Sequence, residues 1–323
     1  MRLIETSTHQ VEEFVGEIPD YAILSHTWNP NEPEVTLADM AGNGIRDLRN
    51  SKFNKIRDVC KKAKEVGLKY CWVDTCCIDK SSSAELSESI NSMYRWYQNS
   101  AICYVFLFDL KPPQTLDAQL HLCRWFTRGW TLQELLAPSI LVFFDSAWHP
   151  RGSIRLRPSE HWPSQYHGSD YTTDLSGRVS SITGIPSKAL AGTSSLRIMR
   201  AAEIMSWASG RETTRPEDMA YSLLGLFDVN MPLLYGEGNK AFARLQEEIV
   251  VRRGDLSLLA WSPPDNSVDT CSALAVSPAS FSWCRGYHVV QRRGLNVEVG
   301  ITNRGLRLGV RLLKQDAADQ SPT

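Results

Sequence analysis

The chain predicts an α/β domain in which a parallel sheet is covered by helices on both faces. Two observations predict it. Short, near-continuous apolar runs ("YAILSH", "YCWVD", "AICYVFLFD", "ILVFFD") recur along the first half, as strands buried on both faces require. Between them lie segments with apolar residues at helical spacing, so the order alternates strand and helix.

The elements follow in order. "YAILSH" (21–26) is a strand that runs into a polar loop. In "SKFNKIRDVCKKAKEVG", Phe53, Ile56, Val59, Cys60, Ala63 and Val66 fall on one helical stripe, closed by Gly67 as a C-terminal cap. "YCWVD" is the next strand. In "SAELSESINSMYRWYQNS", Leu86, Ile90, Met93 and Tyr97 share a stripe, with Ser83 as N-cap and Glu85 in the first turn, where the helix dipole favours an acid. "AICYVFLFD" is a third strand. "GWTLQELLAP" is a short helix ended by Pro138, and "ILVFFD" is a fourth strand.

Residues 1–150 are therefore one α/β domain. At 151–175 the composition turns rich in Pro, Gly and Ser, which reads as a connecting loop. Helical patterns return over 176–254 in "LSGRVSSITGI", "LRIMRAAEIMSWAS", "PEDMAYSLLGLF" and "NKAFARLQEEIVVRRG", with Pro216 at a helix start, where its missing N–H costs nothing. The charged residues Arg211, Arg215, Glu217 and Asp218 are placed to pair and fix this segment on the sheet, or to form a solvated face. From 255 to 323, "LSLLAWSP", "YHVVQRR" and "LNVEVGITNRGLRLGVRLL" read as strands and turns of a partial β-rich region.

Composition narrows the function classes. Over 323 residues the formal charge is −1, so no global field favours nucleic acid. No apolar run reaches bilayer length. The start carries acids where a signal peptide needs an apolar stretch, and the expectation is a cytoplasmic protein. The eight cysteines form no pair of CxxC motifs, so no metal site is expected. "HWPSQYH" reads as a polar loop, and a nucleophilic Cys76 or Cys77 has no histidine near it in sequence.

GxGxxG and P-loop signatures are absent. "YGEGNKAF" is Gly-rich before a helix and suits either an anion at the helix N-terminus or a plain turn and cap. Each strand of the first domain ends in polar residues: Ser25 and His26, Asp74, Asp109, Asp145. Ligands of open parallel sheets bind outside these carboxyl ends, although aspartate also simply favours turns. Ser25 and His26 are adjacent on a strand and point to opposite faces, which argues against a Ser–His hydrolase. Trp130 and Glu134 are i and i+4 and share a helix face. Leu132, Leu135 and Leu136 point elsewhere, so the Trp–Glu pair can line a cleft; the alternative, which spacing alone favours, is an exposed Glu covering a half-buried Trp.

"YAILSHTW", "WVDTCCIDK", "AELSESINSMYRWYQNSAICYVFL" and "RWFTRGWTLQELLAP" together resemble the HET domain of fungal heterokaryon-incompatibility proteins. The later "MSWASGRETTRPEDMAYSLLGLFDVNMPLLYGEGNKAFARLQEEI" and "DLSLLAW" resemble the segment that usually follows it. Asn29 stands where a Gly is usual. The resemblance implies non-self recognition and regulated cell death. HET domains are similar in turn to TIR domains, which implies a flavodoxin-like sheet. "ILSHTW" resembles the TIR first-strand signature, and "RGWTLQEL" resembles the segment that holds the catalytic glutamate of NAD-cleaving TIR domains. Carried over, Glu134 is the catalytic residue and Trp130 the tryptophan of that segment. Ser25, His26, Trp28, Asp74, Arg124, Arg128 and Trp130 would bind the substrate, with Trp28 and Trp130 stacking on its rings and Arg124 or Arg128 holding the diphosphate. NAD would be substrate, and no cofactor or metal is needed. The alternative is a non-enzymatic death-signalling module that acts by self-association or with a NOD-like partner protein.

Overall fold

The computed structural model describes residues 1–42, 45, 50–112, 119–156, 169–191, 196–263, 272–285, 299–302 and 305–309. At its centre is a seven-stranded sheet of order β2-β1-β4-β3-β5-β6-β7. The strands are β1 (Arg2–Glu5), β2 (Val11–Glu13), β3 (Tyr21–His26), β4 (Tyr70–Trp72), β5 (Ile102–Phe106), β6 (Ile140–Phe144) and β7 (Pro150–Arg155). The middle four are parallel, whereas β1, β2 and β7 run antiparallel at the edges. The expectation of a purely parallel sheet is corrected to a mixed one. The physical reason is local: β1 turns back on β2 and β6 on β7 through loops too short for a helical crossover.

The residues between the parallel strands form the three expected helices, α2 (Asn54–Glu65), α4 (Ser83–Asn99) and α5 (Thr131–Leu136), together with two single-turn helices that the sequence did not announce, α1 (Leu37–Met40) and α3 (Asp74–Cys77). Strand register assigns their faces. Cys71 meets Cys60 of α2 at 3.5 Å between sulfurs, and Tyr104 donates to the Lys62 carbonyl of the same helix at 3.1 Å. The opposite face carries Trp72, whose ring meets Tyr97 of α4, and Phe143, which meets Trp125 ahead of α5. The parallel core is thus covered on both sides, and Ile23, Cys71, Trp72, Cys103 and Phe143 are fully buried.

Several boundaries move. Ser82, not Ser83, caps α4, accepting from the Glu85 amide. Asp74 does not end a strand; it opens α3. Gly67 closes the turn after α2 with φ +81° and its amide bonds the Lys64 carbonyl at 3.0 Å. The first five residues of the expected 151–175 loop, Arg151 to Arg155, belong to β7. Gly152 there adopts φ +140°, with the Thr173 carbonyl 2.6 Å from where a Cβ would sit.

Downstream come α6 (Ser169–Thr172), α7 (Ser176–Thr183), α8 (Ser187–Leu190), α9 (Ala201–Ala208), α10 (Asp218–Tyr221), α11 (Leu224–Phe227) and α12 (Lys240–Arg253). "LSLLAWSP" is not a strand; Leu256–Leu259 form a 3-10 turn capped by Asp255. An antiparallel hairpin, β8 (Val299–Thr302) with β9 (Gly305–Leu308), does form. "YHVVQRR" and "HWPSQYH" lie outside the described residues. Among the described residues no helix is long and apolar enough to cross a membrane, and no cluster of His, Cys, Asp and Glu could hold a metal ion.

Candidate functional site

A cleft of about 380 Å³ opens at the carboxyl ends of β3 and β4, within the size range of small-ligand sites. His26, Thr27 and Trp28 come from the end of β3, and Asp74 from the start of α3. Ile78 and Lys80 follow α3; Leu86, Ile90, Met93 and Tyr97 come from α4. Arg128, Trp130, Thr131 and Glu134 come from α5 and its lead-in. The remaining wall is Thr214, Arg215, Asp218 and Tyr235, contributed by the chain roughly eighty residues later.

Glu134 is 7% exposed. All six residues of α5 are buried, because Leu132, Leu135 and Leu136 pack inward while Trp130 and Glu134 turn to the cleft. Ser25 Oγ donates to Glu134 Oε2 at 2.5 Å and accepts from Trp125 Nε1 at 2.8 Å. The Tyr97 hydroxyl donates to the Leu24 carbonyl at 3.0 Å, and its side chain lines the same cleft. Burial pushes Glu134 up to about 8; the Ser25 bond opposes this, Asp74 adds to it, and Tyr97 and Arg211 oppose it. Glu134 is therefore mostly neutral at pH 7, and small charge changes nearby move its proton.

Beside it, His26 lies on the other face of β3, as expected for a residue adjacent to Ser25. Its ring is 1% exposed, with Nε2 3.5 Å from Glu34 and Nδ1 3.8 Å from Asp74. Although burial works against it, His26 and Lys55 hold the Glu34 carboxyl down at about 2. At the mouth, Trp28 is 53% exposed and Lys80 sits over its ring at 4.3 Å.

Of the sequence-derived candidates, Glu134, His26, Trp28, Asp74, Arg128 and Trp130 line one cleft. Ser25 stands behind Glu134 rather than on the cleft surface. Arg124 does not line the cleft: its backbone amide donates to Asp109, which swings its side chain to the rim, where it meets the Trp28 carbonyl at 3.4 Å. Asp109 and Asp145 are turn residues, Asp145 accepting from the amides of Ala147 and His149. The bond with Cys77 and burial push the Cys76 thiol well above its ordinary value, which opposes a nucleophilic role.

The Gly-rich "YGEG" loop holds an anion, but an internal one. Glu217 Oε1 accepts from the amides of Gly236 and Gly238 at 2.8 and 2.9 Å. This bond delivers Tyr235 to the cleft, where Asp218 accepts from its hydroxyl at 2.9 Å and Arg215 stacks on its ring. Sequence reasoning missed Tyr235, Thr214 and Trp125 as site components. It marked Arg211, Arg215, Glu217 and Asp218 as a group able to pair and fix the later segment on the sheet; Arg211 does bond the Arg128 carbonyl and Thr131 and Arg215 and Asp218 line the shared cleft, whereas Glu217 bonds within the later segment.

Residues 21–118 match the family model described as "Heterokaryon incompatibility protein (HET)"; the match includes Ser25, His26, Trp28 and Asp74 and stops before Glu134. The chain is 42% identical over 278 residues, 83% of its length, to "Vegetative incompatibility protein HET-E-1" of Podospora anserina. It spans about a fifth (19%) of that relative. No solved structure matches. Residues 21–118, which carry three of the four parallel strands and the rim formed by His26 and Asp74, thus constitute a HET domain.

Proposed function

We propose that this chain is the effector module of a heterokaryon-incompatibility system, and that it kills by cleaving the bond between ribose and nicotinamide in NAD. The observation that carries this is Glu134: a desolvated carboxyl at the floor of a nucleotide-sized cleft, flanked by Trp130 and Tyr235. The strand order supports it. Numbered among themselves, the parallel strands run 2-1-3-4, the order of flavodoxin-like sheets, whose ligands sit at the carboxyl edge. The seven described cysteines are free, as suits a reducing cytoplasm.

In the cleavage, the C1′–N bond breaks and its electron pair passes to the pyridinium nitrogen, leaving nicotinamide neutral and oxocarbenium character on the ribose. Water adds to C1′ and its proton leaves to solvent. Glu134 acts as the carboxylate that stabilises the sugar cation. The positive nicotinamide ring, bound beside the carboxyl, favours loss of its proton. Trp130 and Tyr235 offer ring faces to the bases, and Arg128 and Arg215 offer charge to the diphosphate.

The test is nicotinamide release from NAD by the purified chain, followed by chromatography. Glu134→Gln is expected to abolish it. Release at the unaltered rate would remove Glu134 from the chemistry. One observation favours a second reading: Glu134 is neutral and already hydrogen-bonded within the fold, as a structural glutamate would be. On that reading the module signals by association with itself or a partner, and cell death persists with Glu134→Gln in place.

A further inference from the structure

Arg211 follows α9 by three residues and is 5% exposed. Its Nη1 donates to the Arg128 carbonyl at 2.8 Å and to Thr131 Oγ1 at 2.8 Å; its Nε donates to the Trp207 carbonyl at 3.3 Å. Thr131 Oγ1 in turn donates to the Trp125 carbonyl at 2.5 Å. Trp125 holds Ser25, and Ser25 holds Glu134. A chain of polar contacts therefore runs from the later helical segment to the cleft carboxyl.

The backbone reinforces it. Glu212 makes a parallel bridge with Arg128: its amide donates to the Thr127 carbonyl at 2.7 Å and its carbonyl accepts from Gly129 at 2.8 Å. This ties residues 127–129, the lead-in to α5. The approach is close: a Cβ on Gly129 would lie 2.5 Å from Thr213 Cγ2.

We infer that Arg211 is a positioning residue for Glu134, fixing the start of α5 and lending the carboxyl a buried counter-charge, so that the helical segment sets the protonation of the cleft. The chemical significance rests on the proposed role of Glu134, but the positioning itself does not. Burial drags the guanidinium down to about 9, yet arginine stays charged at neutral pH. A buried charge with no carboxylate in contact is costly to keep, and Nη2 has no hydrogen-bond partner among the described residues. The other groups that feel Glu134 are Tyr97 on α4, Asp74 on α3, Cys103 on β5 and Arg128 beside α5. Of these, Asp74 works against ionisation and Tyr97 for it.

The experiment titrates the side-chain carboxyl carbons of the full chain by NMR, with Glu134→Gln identifying the resonance. In Arg211→Gln the Glu134 midpoint should rise by about half a pH unit or more. In Arg211→Lys, which keeps the charge but not the fork, it should stay near the unaltered value. A midpoint unchanged in Arg211→Gln, with only the melting temperature lowered, shows a purely structural arginine and overturns the inference. Should Arg211→Gln not fold, Thr131→Val removes the guanidinium's side-chain acceptor and decides by the same midpoint: raised supports, unchanged overturns. Nicotinamide release is scored in parallel. A midpoint that moves in a chain that releases no nicotinamide upholds Arg211 and sinks the NAD reading instead.

Discussion

Glu134 answers to two environments at once, the buried helix α5 that carries it and the cleft that it lines beside His26, Asp74 and Arg128. Its pKa lies at about 8 in the folded chain and near 4.5 in the unfolded one, so the folded state holds the extra proton between those values. Stability is then fully present below about pH 4.5 and is lost as pH rises through 8, by about 5 kcal/mol at most. Glu134→Gln should abolish this alkaline loss: its melting temperature should exceed that of the unaltered chain at pH 8.5 and match it near pH 5. The same variant should abolish nicotinamide release, a loss of at least about a hundredfold. Release by the unaltered chain should climb between pH 6.5 and 8.5 as the carboxylate forms. Ser25→Ala leaves Trp125 Nε1 without its acceptor and removes a bond that favours the carboxylate. It should cost about 1–3 kcal/mol in denaturant titration and push the rise in activity to higher pH. The Trp130–Glu134 pairing was legible in the sequence because i,i+4 spacing fixes a shared face. The partners Ser25 and Trp125 were not, because sheet register and a 3-10 turn bring them together.

The elements were legible where a period was sustained. The α2 and α4 stripes, and the buried runs of β3, β5 and β6, stand where their apolar spacing placed them. The edges were not. β1 and β2 are four and three residues long, too short to show alternation, and β7 contains Pro150 and Gly152, which argue against a strand. "LSLLAW" misled because a short apolar run does not separate strand from 3-10 turn. At this scale the closest approach at a described glycine is between α11 and α4: a Cβ on Gly225 would lie 2.0 Å from Tyr94 Cβ. Gly225→Ala should therefore destabilise by about 1–3 kcal/mol through overpacking, seen as a lower midpoint in urea. On an exposed helix the same change would stabilise.

At the scale of the whole molecule, the helices after β7 are part of the sheet domain's structure. Asn91 of α4 bonds both the amide and the carbonyl of Met231, and the bridge at Glu212 reaches the lead-in to α5. A chain cut at residue 156 should expose the α4 and α5 faces that these contacts cover. It should bind a hydrophobic dye at least severalfold more strongly than the full chain and lose the sharp melting transition. Composition gave no hint of this dependence. It showed a connecting loop at 151–175, and the charged residues from Arg211 to Asp218 suggested that the helical segment packs on the sheet; which residues join the two was not legible, because contacts between distant stretches supply them.

The cleft wall is shared between residues 26–134 and residues 214–235, and this limits how such genes can exchange parts. A crossover between two diverged alleles anywhere from β7 to α9 would pair one parent's carboxyl with the other parent's Tyr235 and Arg215. Such hybrids should inherit a sound sheet and an ill-fitting mouth, so diversity at this site is expected to travel as a single block or not at all.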